Sequence, residues 1–444
     1  MTAAGRARLD EQAWGVPYVL AMSVAAFVVS YGLYVAVRPG DGLAHSDVPH
    51  YNAYAVHVAA RQLPYRDFQL EYPPAAVVAF VLPAADLPGV ASTDGAAWNP
   101  PNAAARRYHD RFVLLVLVLG IVMVASTVFS LAALHRSPPV TLMSVGVLVS
   151  SPWLLGDVFA ERFDVWPAAL TAVAVALALR NRYASAACML AVAAAAKLYA
   201  LVLLPVLLIV VMRQRGARSA LTTAGVALAT LVVLVAPFAI ASPSGVWDAL
   251  RVQFRGGLHI ETAASAVLVL ASRASAELSS LGLFDSFTLS DREAEHGLGR
   301  GVLVGPGTGA AVTILNVLLV AGVLGLLASL ARSKGDVREQ LVRYSAAVVA
   351  TTVALGSVLS PQYLVWLLPL VVLVGGRRGT AATVLFVLAS VLTQVWFRWI
   401  YTSYARDLDA GTATVLLARN LLLLAIALVL ALPAKSLLAS SNRP

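Results

Sequence analysis

The chain has 444 residues, of which 59% are hydrophobic and only 12% charged. Soluble domains carry about 45–50% apolar and about 25% charged residues, and a soluble fold has too little interior for this much apolar surface; a polytopic membrane protein is implied. The formal charge of +9, from 32 Lys and Arg against 23 Asp and Glu, comes in short clusters between apolar runs, which leaves no basic domain for a nucleic acid, and a single cysteine, Cys188, excludes an intramolecular disulfide or a thiolate cluster.

A span needs about 20 apolar residues. The first candidate runs from Val16 to Val37 and reads as a retained span rather than a signal peptide, because a partly acidic segment precedes it and no small-residue cleavage site follows. Residues 38–110 form a first long external segment. Within it, 74–87 is too short to cross and is expected at the interface, and 91–107, rich in Ala, Asn and Pro, reads as irregular loop with a short helix. Spans follow at 112–134 and 138–155, with a shorter one at 165–179. The stretch 183–212 is largely apolar except for Lys197 and has basic clusters at both ends. If both clusters face the cytoplasm the chain crosses an even number of times, as two short helices turning near Lys197 and Tyr199. Broken helices of this kind are tolerated where they line a polar cavity. One long tilted span is the alternative, and it would invert everything downstream.

The next span is 219–241, followed by a second long external segment, 242–305, in which 263–272 is too short to cross and 284–300 reads as a polar loop. Residues 306–444 form a C-terminal helical module with spans at 306–331, 380–397 and 412–433. Between them, 344–376 is too long for one span, and the proline of SPQY (360–363) divides it into 344–359 and 361–376. Twelve crossings place both termini in the cytoplasm, with the loops near 135, 180–182, 213–218, 332–343 and 377–378 on the same side. That side holds 16 Lys and Arg against 4 Asp and Glu, and the remainder 16 against 19, as the positive-inside rule expects. The chain therefore reads as one all-α integral membrane domain, residues 1–444.

Three polar clusters fall at the expected outer ends of these spans. The first is HSDVPHYNAY (45–54) with PYRDFQLEYPP (64–74), where Asp47, Asp67 and Glu71 mix with His45, His50, Tyr51, Tyr54 and Tyr72. Rings that stack on a sugar face beside carboxylates that take its hydroxyls suit carbohydrate binding, although aromatic residues are also routine at membrane interfaces. Asp67 and Glu71 would share a helical face, but the YPP that follows argues against a helix there. The second cluster is basic: Lys197 in AAAAKLYAL, Arg162 in AERFDVWP beside Glu161 and Asp164, and Arg255 and His259 in QFRGGLHIET with Glu261. Cationic groups at headgroup depth suit a lipid phosphate; salt bridging and snorkelling are the plain alternative. The third is SPQY, with Gln362 and Tyr363, then Trp366 one turn on and Arg398 among aromatic residues near the next outer turn. A phosphate-binding loop, a dinucleotide fingerprint, HExxH and GxSxG are all absent, and no metal site is forced.

In this order, SDVPHYNAYA, LPYRDFQLEYPP, RFDVWPAAL, AAAAKLYALVLLP, RGGLHIE and LSPQYLVWLLPL resemble the bacterial family 87 group of GT-C membrane glycosyltransferases, which includes polyprenol-phosphate-mannose-dependent mannosyltransferases. The resemblance covers roughly residues 45–370. It implies a GT-C fold of about 12 membrane-crossing helices, some short or broken, with long extracytoplasmic loops. It also implies an inverting transfer of a hexose, mannose first, from a polyprenyl-phosphate donor to a lipid or glycolipid acceptor outside the cytoplasmic membrane. Asp47 is then the general base. His50, Tyr51, Tyr54, Asp67, Glu71 and Tyr72 would contact acceptor or sugar, with Asp67 and Glu71 either positioning hydroxyls or bracing the loop. Arg162, Lys197, Tyr199, Arg255, His259, Glu261, Gln362, Tyr363 and Arg398 would contact the lipid-phosphate donor. No cofactor, no metal and a monomer are expected. Arabinofuranose or glucose are alternative sugars, and a transporter or lipid flippase, or a non-catalytic envelope scaffold, are alternative functions.

Overall fold

The computed structural model describes residues 3–38, 46–87, 102–254, 256–274, 287–290 and 301–432. Among them, seven helices are long and apolar enough to cross a membrane, which makes the chain a multi-pass membrane protein. Helix α1 (Ala3–Val37) ends just before Arg38. Helices α2 (Val48–Ala59) and α3 (Ala76–Val81) are short and lie between the first and second long apolar helices. Helix α4 (Ala103–Ala133) starts well before residue 112, because the Asn102 side chain accepts the Ala105 N–H at 2.8 Å and so satisfies one of the free donors of the first turn. The stretch between α1 and α4 is correspondingly shorter than the hydropathy pattern suggests.

Helix α5 (Pro138–Leu155) opens on two prolines, which lose nothing in a first turn whose N–H groups have no helical partner. Gly156 then adopts φ 57° and ψ −137°, a conformation closed to residues with a Cβ, and turns the chain into α6 (Asp157–Ala160). Helices α7 (Val165–Leu179) and α8 (Tyr183–Ala196) follow. Helix α8 stops where Lys197 takes an extended backbone (φ −154°, ψ 123°), and a 3-10 turn over Leu198–Val202 leads into α9 (Leu203–Ala241). The expected break near Lys197 is therefore present. Helix α9 also runs through the basic cluster at 213–218, interrupted there by Gly216 at φ 81°.

Next come α10 (Pro243–Phe254), α11 (Ala263–Ala274), α12 (Thr308–Arg332), α13 (Val337–Leu355), α14 (Tyr363–Val371), α15 (Gly376–Val395), α16 (Tyr401–Asp407) and α17 (Ala410–Ala431). The gap between α13 and α14 contains the SPQY break. One departure from an all-helical chain is a short antiparallel pair, β1 (Thr288–Ser290) with β2 (Val302–Val304), of which β1 falls in the stretch 284–300 that reads as loop from its polarity. Helices α9 and α12 leave Leu221, Leu228, Val233, Ile240, Val317 and Leu324 more than half exposed. Rows of bare aliphatic side chains are unfavourable in water and are the ordinary face of a helix in lipid.

The chain divides into two compact units, Met1–Arg255 with Gln362–Leu373, and Gly256–Pro361 with Val374–Pro444. In the first, α7 and α8 pack together, and both carry buried alanines such as Ala168, Ala172, Ala187 and Ala191. Small residues let helix backbones approach closely, which is where dispersion gains come from when lipid removes the hydrophobic driving force. Helix α14 is buried along its length, and the Ser144 hydroxyl donates to the carbonyl of Val372 at 2.7 Å just beyond its end. In the second unit, α15 and α17 pack together. The Arg343 guanidinium donates to the carbonyls of Leu430, Ala431 and Leu432, which α17 leaves without helical partners.

Candidate functional site

Asp47 is the residue before α2, a position where a carboxylate normally accepts N–H bonds of the first turn. Pro49 has no N–H to give, the Val48 N–H goes to the Ser46 hydroxyl, and the Asp47 side chain makes no cap bond. The carboxylate is free to turn to Arg162, with which it forms an ion pair, and to accept the Tyr51 hydroxyl at 3.2 Å. Tyr51 is fully buried and packs against Phe80, Tyr72 and Phe163.

The Lys197 ammonium lies 3.5 Å from the Asp164 carboxylate, with both side chains almost fully buried. The same carboxylate oxygen accepts the Trp366 indole N–H at 2.7 Å. Around the ammonium stand the rings of Phe163, Tyr72, Trp366 and Tyr363, with centroids at 4.8, 5.0, 5.8 and 5.9 Å. Ring faces and one carboxylate replace the water that burial removes from the ammonium. Trp366 is itself stacked between Tyr199 (4.2 Å) and Tyr363 (3.8 Å). The consecutive residues Arg162, Phe163 and Asp164 thus reach Asp47, the ring cluster and Lys197 in turn.

The loop from Pro64 to Ala75 closes this site. Pro73 and Pro74 carry no N–H, and the first one available, on Ala75, bonds to the Ala195 carbonyl at 2.8 Å, one of those stranded by the end of α8. Glu71 is buried, accepts from His50 at 3.1 Å, and has its backbone carbonyl held by the Gln253 amide at 2.6 Å. Tyr54 bonds to the same His50 nitrogen at 2.6 Å. Tyr65, in left-handed backbone (φ 69°), donates its hydroxyl to the Tyr72 carbonyl. Burial pushes the Tyr65 phenol well above its ordinary range, so it remains a donor at any physiological pH. Asp67 does not share a helical face with Glu71, because the segment is a turn. It is partly exposed, accepts the Leu63 N–H and pairs with Arg66, whose hydrogen bond lowers its carboxyl below the ordinary range.

A second polar network, absent from the candidate residues chosen by motif, lies beside the first in the same unit. Glu161 accepts from Arg38 at 2.5 Å and from His109 at 2.9 Å, and Asp157 accepts from Tyr34 at 2.6 Å. Burial would raise the Glu161 carboxyl, but the His109 hydrogen bond and the Arg38 charge outweigh it and hold the group below its ordinary range. The sequence signal for Glu161 and Asp164 was their place in AERFDVWP beside Arg162. Nothing in the sequence connects Arg38 or His109 to them, since those partners lie 123 and 52 positions away.

Of the remaining candidates, Gln362 and Tyr363 open α14 in the first unit, with Tyr363 in the ring stack. His259, Glu261 and Arg398 belong to the second unit. There, the His259 N–H bonds to the Ser357 carbonyl, and Leu258 and Ile260 pair with the β2 edge. The Glu261 carbonyl is held by Arg419 and Asn420 at 3.1 and 3.0 Å. Arg398 is half-buried in a π-helical turn, Trp396–Ile400. His45 and Arg255 lie outside the described residues. Among the described residues no three His, Cys, Asp or Glu side chains cluster in a way that would hold a metal ion.

Next to the Lys197 break is an apolar cavity of about 380 Å³. Its walls include Pro73, Pro74, Ala194, Ala195, Leu198 and Leu231, so residues on both sides of Lys197 contribute to it. The arrangement offers a carboxylate paired with a guanidinium, a caged ammonium behind a shared ring cluster, and an apolar space at the same helix break. No protein-family model and no curated protein matches the chain.

Proposed function

We propose that the chain is a GT-C-type glycosyltransferase that moves a hexose, mannose first, from a polyprenyl-phosphate donor to a lipid or glycolipid acceptor at the outer face of the cytoplasmic membrane. The observation that carries this reading is the helix break at Lys197, whose chain neighbours Ala195 and Leu198 line an apolar cavity and whose buried ammonium meets, through Phe163 and Tyr72, the ring that contacts Asp47. A phosphate carrying a long apolar chain has complementary needs. The twelve-crossing arrangement belongs to the same reading, in which α7, α8, the two parts of α9, α13 and α14 add short or broken crossings to the longer apolar helices.

In this mechanism the acceptor hydroxyl oxygen attacks the anomeric carbon and the bond from that carbon to the phosphate oxygen breaks. The hydroxyl proton passes to Asp47, and the bonding pair leaves with the polyprenyl phosphate, which Lys197 stabilises. One displacement inverts the configuration and needs a single carboxylate. Arg162 positions Asp47, and Asp164 with Trp366 positions Lys197.

The test is transfer of labelled mannose from polyprenyl phosphomannose to membrane glycolipids by the purified protein. Asp47→Asn is expected to lower transfer about 10²–10⁴-fold, the range for loss of a general base, with the fold intact by circular dichroism. Undiminished transfer by that variant removes Asp47 from the role. Lipid movement across proteoliposomes without formation of a glycosidic bond would favour a flippase, which shares the cavity but has no use for the Asp47–Arg162 pair.

A further inference from the structure

A second cavity, of about 360 Å³, lies in the first unit where α7 ends, α8 begins and α9 is broken at Gly216. Its lining contrasts with that of the apolar cavity: Arg182 and Arg215 stand with Ser185, Ser219, Thr222 and Thr223. The Arg215 guanidinium is laid over the Tyr183 ring at 4.9 Å, and Tyr183 is buried, with its hydroxyl bonded to Asn181 at 2.8 Å and to Gln214. One arginine is therefore laid against a buried ring, while both Arg182 and Arg215 remain exposed and open to a ligand. The sequence contains no Asp or Glu between Asp164 and Asp248, an interval with six Lys and Arg. Among the described residues neither Arg182 nor Arg215 is paired with a carboxylate.

In the proposed twelve-crossing arrangement, on which this placement rests, the helix ends that form this cavity fall at the level where lipid headgroups meet water. Positive-inside topology explains charge at such a place, but charge alone does not require a concave, hydroxyl-lined wall or a guanidinium stacked on a buried ring. Planar guanidinium groups match a phosphodiester through paired hydrogen bonds, and the serine and threonine oxygens match the hydroxyls of a headgroup. We propose that this cavity binds the phosphodiester headgroup of an anionic, hydroxyl-bearing phospholipid. The site is separate from the Lys197 site and independent of the transfer reaction.

The experiment uses the full chain in mixed micelles, with phosphatidylglycerol, phosphatidylinositol or phosphatidylcholine as probes. Retained lipid is read by native mass spectrometry and the unfolding midpoint by thermal scan. The wild type is expected to retain the two anionic lipids and to gain thermal stability from them, but not from phosphatidylcholine. Arg182→Gln combined with Arg215→Gln is expected to weaken retention about tenfold or more, as removal of charge-assisted hydrogen bonds does. Because losing two charges could disturb membrane insertion, Ser219→Leu provides a second variant that fills the cavity with every arginine in place, and it is expected to lose the lipid as well. Equal retention of phosphatidylcholine, or wild-type retention by either variant, overturns the proposal. Inorganic phosphate and glycerol phosphate form the soluble arm, and a stabilisation by them equal to that of the lipids would overturn the lipid as the source.

Discussion

Replacing Asp164 with asparagine removes one charge from the buried pair and little else. The amide keeps an oxygen that can accept the Trp366 N–H, now at 2.7 Å, and the side-chain volume is almost unchanged. What disappears is the attraction to Lys197 across 3.5 Å, about 5 kcal/mol at an effective dielectric of about 20. Breaking a buried pair by removing one partner costs about 3–5 kcal/mol, because the other charge is left without compensation. The ring cage softens this for an ammonium, so Asp164→Asn is expected near the lower end, about 3 kcal/mol. Lys197→Met strands the carboxylate instead, which no ring face compensates, and is expected to cost at least as much. The double variant removes both charges and should be more stable than the two single losses predict by about 2 kcal/mol or more. Reversible unfolding in mixed micelles, followed by intrinsic tryptophan fluorescence, measures all four proteins. Additivity within about 0.5 kcal/mol would refute the pairing, and with it the claim that Asp164 holds Lys197 in place.

Glu161→Gln is expected to destabilise the protein at neutral pH by about 1.5–3 kcal/mol, the worth of a charge-assisted hydrogen bond. Because the folded carboxyl lies below its ordinary value of 4.5, the wild-type advantage is full above that value and fades as pH falls through the lower folded pKa. A midpoint difference that stays constant down to about pH 3 would contradict this. Gly379→Ala places a Cβ into the Val374 carbonyl oxygen, so the turn into α15 must move, and a loss of about 1–3 kcal/mol is expected in the same unfolding assay. Gly225→Ala, with nothing within 4 Å of the new Cβ, should be neutral or stabilising by up to about 1 kcal/mol. Equal effects of the two substitutions would contradict the close approach at Gly379.

Much of the helical framework was legible in the sequence, for different reasons at different places. Residues 165–179 were bounded correctly because the apolar run is closed by charges at both ends. The break at Lys197 was legible because an ammonium cannot remain unpaired in hydrocarbon and because the basic clusters on either side demanded a return. The start of α4 was misplaced because the first turns of that helix carry Arg106, Arg107, His109 and Asp110, which hydropathy counts as loop. An Asn102 cap followed by alanines was the signal that could have placed it.

The candidate site divides along the same line. Composition and the order of charges determined that the protein lives in a membrane and that Asp47, Lys197 and Arg255 are among the few charges not needed for topology. Those conclusions follow from the sequence because transfer free energies act residue by residue. Which carboxylate serves which cation was decided only by tertiary structure. Adjacent positions 161, 162 and 164 leave one loop for Arg38, Asp47 and Lys197, partners on three different segments of the chain. The release of Asp47 from its capping role depended on Pro49 locally and on Arg162 from a distance. Pairing energies depend on distance and burial, and neither is written in a linear sequence.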